Sequence, residues 1–139
     1  MAALTADRNR QARGTGKGYR FPMAAVKIYK GSIVMANASG FATPGTDTAA
    51  LRVVGIATET IDNAAGAAGD KFIHVDADRE FLFVATSITQ AMLGTLMVCV
   101  DDDNVDDAAG ATNDIPVGRL TEFVTTTSGW VFVPGLETL

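Results

Sequence analysis

The chain is short of the residues that most catalytic and metal chemistry uses. Among 139 residues there is one cysteine, Cys99, one histidine, His74, and one tryptophan, Trp130. A lone cysteine excludes an internal disulfide framework and a cysteine-based zinc site. In the apolar run 96–100 it reads as a small buried hydrophobe. His74 has Asp76 two residues on, on the same face of an alternating segment, and reads as an exposed strand histidine rather than one arm of a catalytic set. No run of 18 apolar residues is present, so no segment has the pattern of a membrane-spanning helix. The N-terminus lacks the apolar stretch of a signal peptide, and the expectation is a protein made and used without Sec export. Charged residues are only 19% of the chain against 47% apolar. That balance describes a folded protein, part of whose surface is expected to be covered by partners.

What charge there is divides unevenly. Residues 1–20 carry Arg8, Arg10, Arg13, Lys17 and Arg20 against Asp7, a net of +4, while residues 21–139 carry a net of -9. The body would repel a polyanion and shows no basic–aromatic surface, so nucleic acid is not an expected partner. A basic arm reaching an acidic protein surface fits the charges better. The densest acidic run is 101–107, DDDNVDD. Asp102, Asn104 and Asp106 match the opening positions of a calcium loop, but Asp107 stands where the turn glycine belongs and Asn113 where the closing glutamate belongs. The run therefore reads as a solvated acidic loop, and no metal ligand is assigned. Gly14, Gly16, Lys17 and Gly18 resemble a nucleotide loop only superficially. Gln11 and Gly18 break the Walker pattern, Tyr19 breaks the dinucleotide pattern, and no strand precedes them. No cofactor is expected.

The organisation is β throughout. Residues 1–20, with three glycines and no apolar period, read as an extended arm. Residues 21–139 read as a single β domain. Strands are expected around 25–36, 41–43, 51–60, 71–78, 81–85, 95–100, 115–124 and 130–133, separated by Gly, Pro, Asn and Asp. The segment 81–85, apolar on both faces, is expected to be a central strand. One helical turn is expected over 86–92, with Ser87 as cap and Gly94 as stop. Two stretches echo each other without a gap. Residues 31–35 (GSIVM) return as 94–98 (GTLMV), and 54–59 (VGIATE) return as 117–122 (VGRLTE), both at an offset of 63. Residues 72–75 (FIHV) match 130–133 (WVFV) at an offset of 58. The pattern is strand, turn, strand, loop, strand, repeated and joined through 81–85. It points to an all-β fold, either a compact barrel or a sandwich, with an internal pseudo-repeat and an extended arm.

The order and spacing of several motifs resemble the tailed-bacteriophage capsid cement, or decoration, proteins of the DUF2190-like group. These motifs are LTADR at 4–8, AVKIYKG at 25–31, GFATP at 40–44, RVVGIA at 52–57, DNAAG at 62–66, PVGR at 116–119 and GWV at 129–131. The resemblance implies a β-rich structural protein on the outer surface of an icosahedral head, made in the host cytoplasm. It implies binding over junctions between major capsid protein subunits, as a homo-oligomer, with a trimer favoured over a dimer. It implies no catalytic site and no membrane. Under it, the charge split assigns Arg8, Arg10, Arg13, Lys17 and Arg20 to capsid or inter-subunit contacts, with Tyr19 and Phe21 anchoring the root of the arm. The competing reading is a small β-fold module for a ligand or glycan. It needs exposed aromatics in a groove, and the chain has one tryptophan and two tyrosines to supply them.

Overall fold

The computed structural model describes residues 3–136. In chain order the strands are β1 (Ala12–Arg13), β2 (Lys17–Pro22), β3 (Lys27–Ile28), β4 (Ile33–Ala36), β5 (Ala42–Pro44), β6 (Arg52–Ala57) and β7 (Ile61–Asp62). They continue with β8 (Phe72–Ala77), β9 (Arg79–Ala85), β10 (Leu96–Cys99), β11 (Asn104–Asp106), β12 (Pro116–Thr125) and β13 (Ser128–Val133). Single 3-10 turns occupy Gln90–Met92 and Ala108–Gly110.

These strands build the same barrel twice. The first has the order β2-β8-β6-β4-β5 and closes through a parallel bridge between Met23 and Ala42. The second has the order β9-β13-β12-β10-β11 and closes through parallel pairing of β11 with β9. Registers agree residue by residue. Ile33 pairs with Ile56 as Leu96 pairs with Arg119, and Ala36 with Ala42 as Cys99 with Val105. Both barrels bulge at the same place, between Val34 and Met35 and between Met97 and Val98. The Gly31 amide donates to the Ala57 carbonyl as Gly94 does to Leu120. Hydrogen-bond registers are specified by which face is buried, so this agreement extends the 63-residue echo from two short motifs to three strands and their connections.

The repeat differs from the expected one in two respects. Ile56 faces Asp76 and Arg119 faces Phe132, so β8 and β13 are equivalent at an offset of 56 rather than 58. A strand has a side-chain period of two, so a slip of two residues keeps every side chain on its face and cannot be detected by apolar pattern. Segment 81–85 is also not a joint between three-strand units. It belongs to β9, the opening strand of the second barrel, and corresponds to β2 in the first. The expected boundary at residue 20 therefore falls inside β2, which pairs with β8 along its whole length. The arm proper ends before Lys17, and within it β1 pairs with β9.

Alternation along β4 fuses the two barrels. Val34 and Ala36 point into the first barrel with Met23, Ile28, Val54, Ile73 and Val75. Ile33 and Met35 point the other way and, with Ile56, join the core of the second barrel around Phe81, Phe83, Met97, Leu120 and Val131. Burying each such side chain contributes about 1.5–3 kcal/mol, so the three outward residues of the first barrel weld the body together. The expected single β domain is thus two barrels, each with its own core, joined where Ile33, Met35 and Ile56 of the first enter the core of the second. In the turn region, Thr89 rather than Ser87 precedes the 3-10 turn and gives no side-chain cap, while Gly94 ends the segment at φ 82°.

Candidate functional site

Two cationic residues of the arm, Arg8 and Arg10, converge on the seam between the barrels. The turn between β10 and β11 presents Asp102 and Asp103, only 4% and 6% exposed. Asp101 builds this turn, its Oδ1 accepting from the backbone N–H groups of Asp103 and Asn104. The expected solvated loop is thus a buried turn followed by a strand. Asn104 and Asp106 lie in β11 and are also buried. Charge masked the strand in the sequence, although the 63-residue offset carries Ala42 onto Val105.

Arg10 answers the buried charge. Its Nη2 donates to Asp103 Oδ1 at 2.8 Å, its Nε to the Gly31 carbonyl at 2.9 Å, and its Nη1 to the Leu82 carbonyl at 3.0 Å. The guanidinium lies 4.5 Å over the Phe83 ring, and its side chain is 2% exposed. One residue thereby ties the arm to a first-barrel loop, a second-barrel strand and the acidic turn. Arg8 adds a bond from Nη2 to Asp103 Oδ2 at 2.8 Å, and the Leu4 amide donates to Asp102 Oδ1 at 2.8 Å. Burial lowers the Arg10 pKa, with Asp103 opposing the shift, and burial raises the Asp102 carboxyl. Gly31, at φ 86°, is required here because a Cβ would meet the Arg8 carbonyl oxygen at 2.2 Å.

The remaining candidate residues divide between two faces: Tyr19 and Phe21 pack against the first-barrel core, whereas Arg20 lies on the outer face of β2 opposite His74. Arg13 stacks 4.2 Å over Trp130 and bridges Glu80 and Glu122, which raise its pKa. Arg20 lies 3.8 Å over Phe72, Lys17 lies 5.3 Å over Tyr19, and Tyr19 stacks on Phe21 at 6.2 Å. The sequence assigned Arg8, Arg10 and Arg13 to carboxylates of another protein. All three find carboxylates of this chain instead, because the acidic turn and the β9–β13 face lie beneath the arm. Lys17, Tyr19, Arg20 and Phe21 all lie in β2, and of them Arg20, with Phe72 under it, forms an outward ledge on the first barrel.

The other candidate groups are structural. His74 Nδ1 is 2.7 Å from Glu59 Oε2 and holds that carboxyl low. Its expected neighbour Asp76 pairs instead with Arg79. Asp47 accepts from the backbone N–H groups of Thr112 and Asn113, which lower its pKa and tie a first-barrel loop to the second barrel. Burial pushes the Cys99 thiol up to about 12. Among the described residues no group of three or more His, Cys, Asp or Glu side chains has the spacing of a metal site.

The exposed apolar side chains are unevenly placed. Leu93, Leu96, Val124, Phe132 and Leu136 all lie in or beside the second barrel, whereas Phe72, in the first, lies under Arg20. Leu96 and Leu136 line a groove of about 270 Å³ with Leu51, Val53, Pro116 and Pro134. No family model and no curated protein matches the chain.

Proposed function

We propose that the chain is a structural virion protein that binds the outer surface of an icosahedral phage head and cements junctions between major capsid protein subunits. The observation that carries the reading is the duplicated, rigid body. Ile33, Met35 and Ile56 of the first barrel, packed into the core of the second, hold two docking platforms in fixed relation, which is what a clip spanning neighbouring lattice subunits requires. The motif order that resembles the cement proteins supports the same reading. Such a clip adds its binding free energy to the assembled shell alone and so shifts the balance against disassembly under DNA pressure. Many copies make the effect multivalent.

The arm enters this reading in a new role. Arg8 and Arg10 build the platform rather than reach across to the capsid. The residues assigned to contact are the outward ledge of Arg20 and Phe72. Cations stacked on aromatic rings at a surface have the composition of binding hot spots. The test is sedimentation with heads lacking the protein. Saturable co-pelleting, weakened by Arg20→Glu, is expected. Protein that stays in the supernatant at every concentration contradicts the reading, and retention on a glycan column in its place favours a ligand-binding module.

A further inference from the structure

The two barrels repeat each other, yet their faces are not used alike. On the first barrel the outward side chains Ile33, Met35 and Ile56 are buried by the second. The Ile33 amide donates to the Asp102 carbonyl at 2.8 Å, so the β10–β11 turn sits at the edge of that face. The register places Leu96, Val98 and Arg119 as the equivalents of Ile33, Met35 and Ile56. Val98 is buried, but Leu96 is 43% exposed, and Arg119 and Pro116 are exposed beside it. The counterpart of the covering turn is open too. The equivalent turn on the first barrel is 37–40, where Ala38, Ser39 and Gly40 are all exposed. One chain thus carries an internal contact and, at its two ends, both halves of that contact again.

We propose that a second copy of this chain docks head to tail, its 37–40 turn seated on the Leu96–Pro116 face of the second barrel. The interface repeats between chains the contact that joins the barrels within one. It is continuous with that contact, because Leu51 and Val53 line the groove beside Leu96 and pack on the second-barrel core that Ile33, Met35 and Ile56 join. Small residues at 38–40 allow close approach, and the Leu96 amide meets the Ser39 carbonyl as Ile33 meets Asp102. Arg119 replaces Ile56, and its Nη1 donates to the Gly94 carbonyl at 3.0 Å. The repeated contact is therefore more polar than the internal one and suits reversible association. Heterologous contacts close into a ring when the rotation permits and otherwise extend.

The inference concerns the free protein, so it stands or falls without heads. Sedimentation velocity on the full chain over a concentration series should show assembly above the monomer. Leu96→Lys sets a second cation directly opposite Arg119 on one half, and Ser39→Arg sets a cation against Arg119 on the other. Each alone should stay monomeric with its melting temperature unchanged, its association weakened by about tenfold or more. Mixed, each variant retains one intact half, so the pair should form a dimer and nothing larger. A monomeric parent chain, variants that assemble undiminished, or a mixture that stays monomeric would each overturn the proposal.

Discussion

Arg10→Ala is the most informative single change. The guanidinium is 2% exposed and bonds Asp103 and the carbonyls of Gly31 and Leu82. Truncation leaves Asp103 with only Arg8, whose side chain is 41% exposed. Removing one partner of a buried pair costs about 3–5 kcal/mol, because the other charge stays buried without compensation. Each orphaned buried carbonyl costs about 1–3 kcal/mol, but groups that share one network do not contribute additively. Against a typical folding free energy of about 5–15 kcal/mol, the loss is a large fraction of the total. The assay is equilibrium urea unfolding followed by far-UV circular dichroism and by the fluorescence of Trp130, with coincident transitions confirming two-state behaviour. Arg10→Met combined with Asp103→Asn should destabilise by less than the two single changes added together, since it removes both charges. A cost for Arg10→Ala below about 1 kcal/mol, the range of an exposed ion pair, would refute the argument that the arm is latched at the seam.

Three further outcomes follow from the same geometry. A Cβ on Gly118 would lie 1.8 Å from the Phe132 carbonyl oxygen, whereas the nearest atoms to one on the equivalent Gly55 lie at 2.9 Å. Gly118→Ala should therefore cost at least about 1–3 kcal/mol and more than Gly55→Ala, and the reverse order in urea unfolding would contradict the equivalence. Cys99, buried with its thiol pushed up to about 12, should react with a thiol reagent only at the rate of global unfolding; rapid labelling of the native protein would show the second barrel to be open. Burial raises the Asp106 carboxyl. Its folded-state pKa thus lies above the unfolded one, so the site weakens the fold at neutral pH and the loss is relieved as pH falls toward the raised value. Asp106→Asn should raise the melting temperature at neutral pH and flatten part of the gain on acidification, and an unchanged pH profile would count against it.

The features of the fold that were legible in the sequence are those written in apolar alternation. The β character, the 63-residue echo and the break between the strands at 25–36 and 41–43 followed from residue order alone. What stayed hidden had physical causes. β11 was obscured because Asp102, Asp103, Asn104 and Asp106 are buried polar residues whose partners come from the turn itself and from an arm more than ninety residues earlier in the chain. The correct equivalence of β8 and β13 was hidden by the period of two. The charge split between arm and body was real, but the sequence could not say that the acidic surface belongs to the same chain. Lys17, Tyr19, Arg20 and Phe21 read as the end of an arm, whereas they lie in a barrel strand whose alternation turns Tyr19 and Phe21 toward the core.

Symmetry-resolved density of a head decorated with this protein tests the central claim most directly. The account predicts two-barrel density on the outer surface, bridging neighbouring capsid subunits, with the ledge of Arg20 and Phe72 turned toward the shell. Heads that remain bare in the presence of saturating protein, or density confined to the interior, would contradict it.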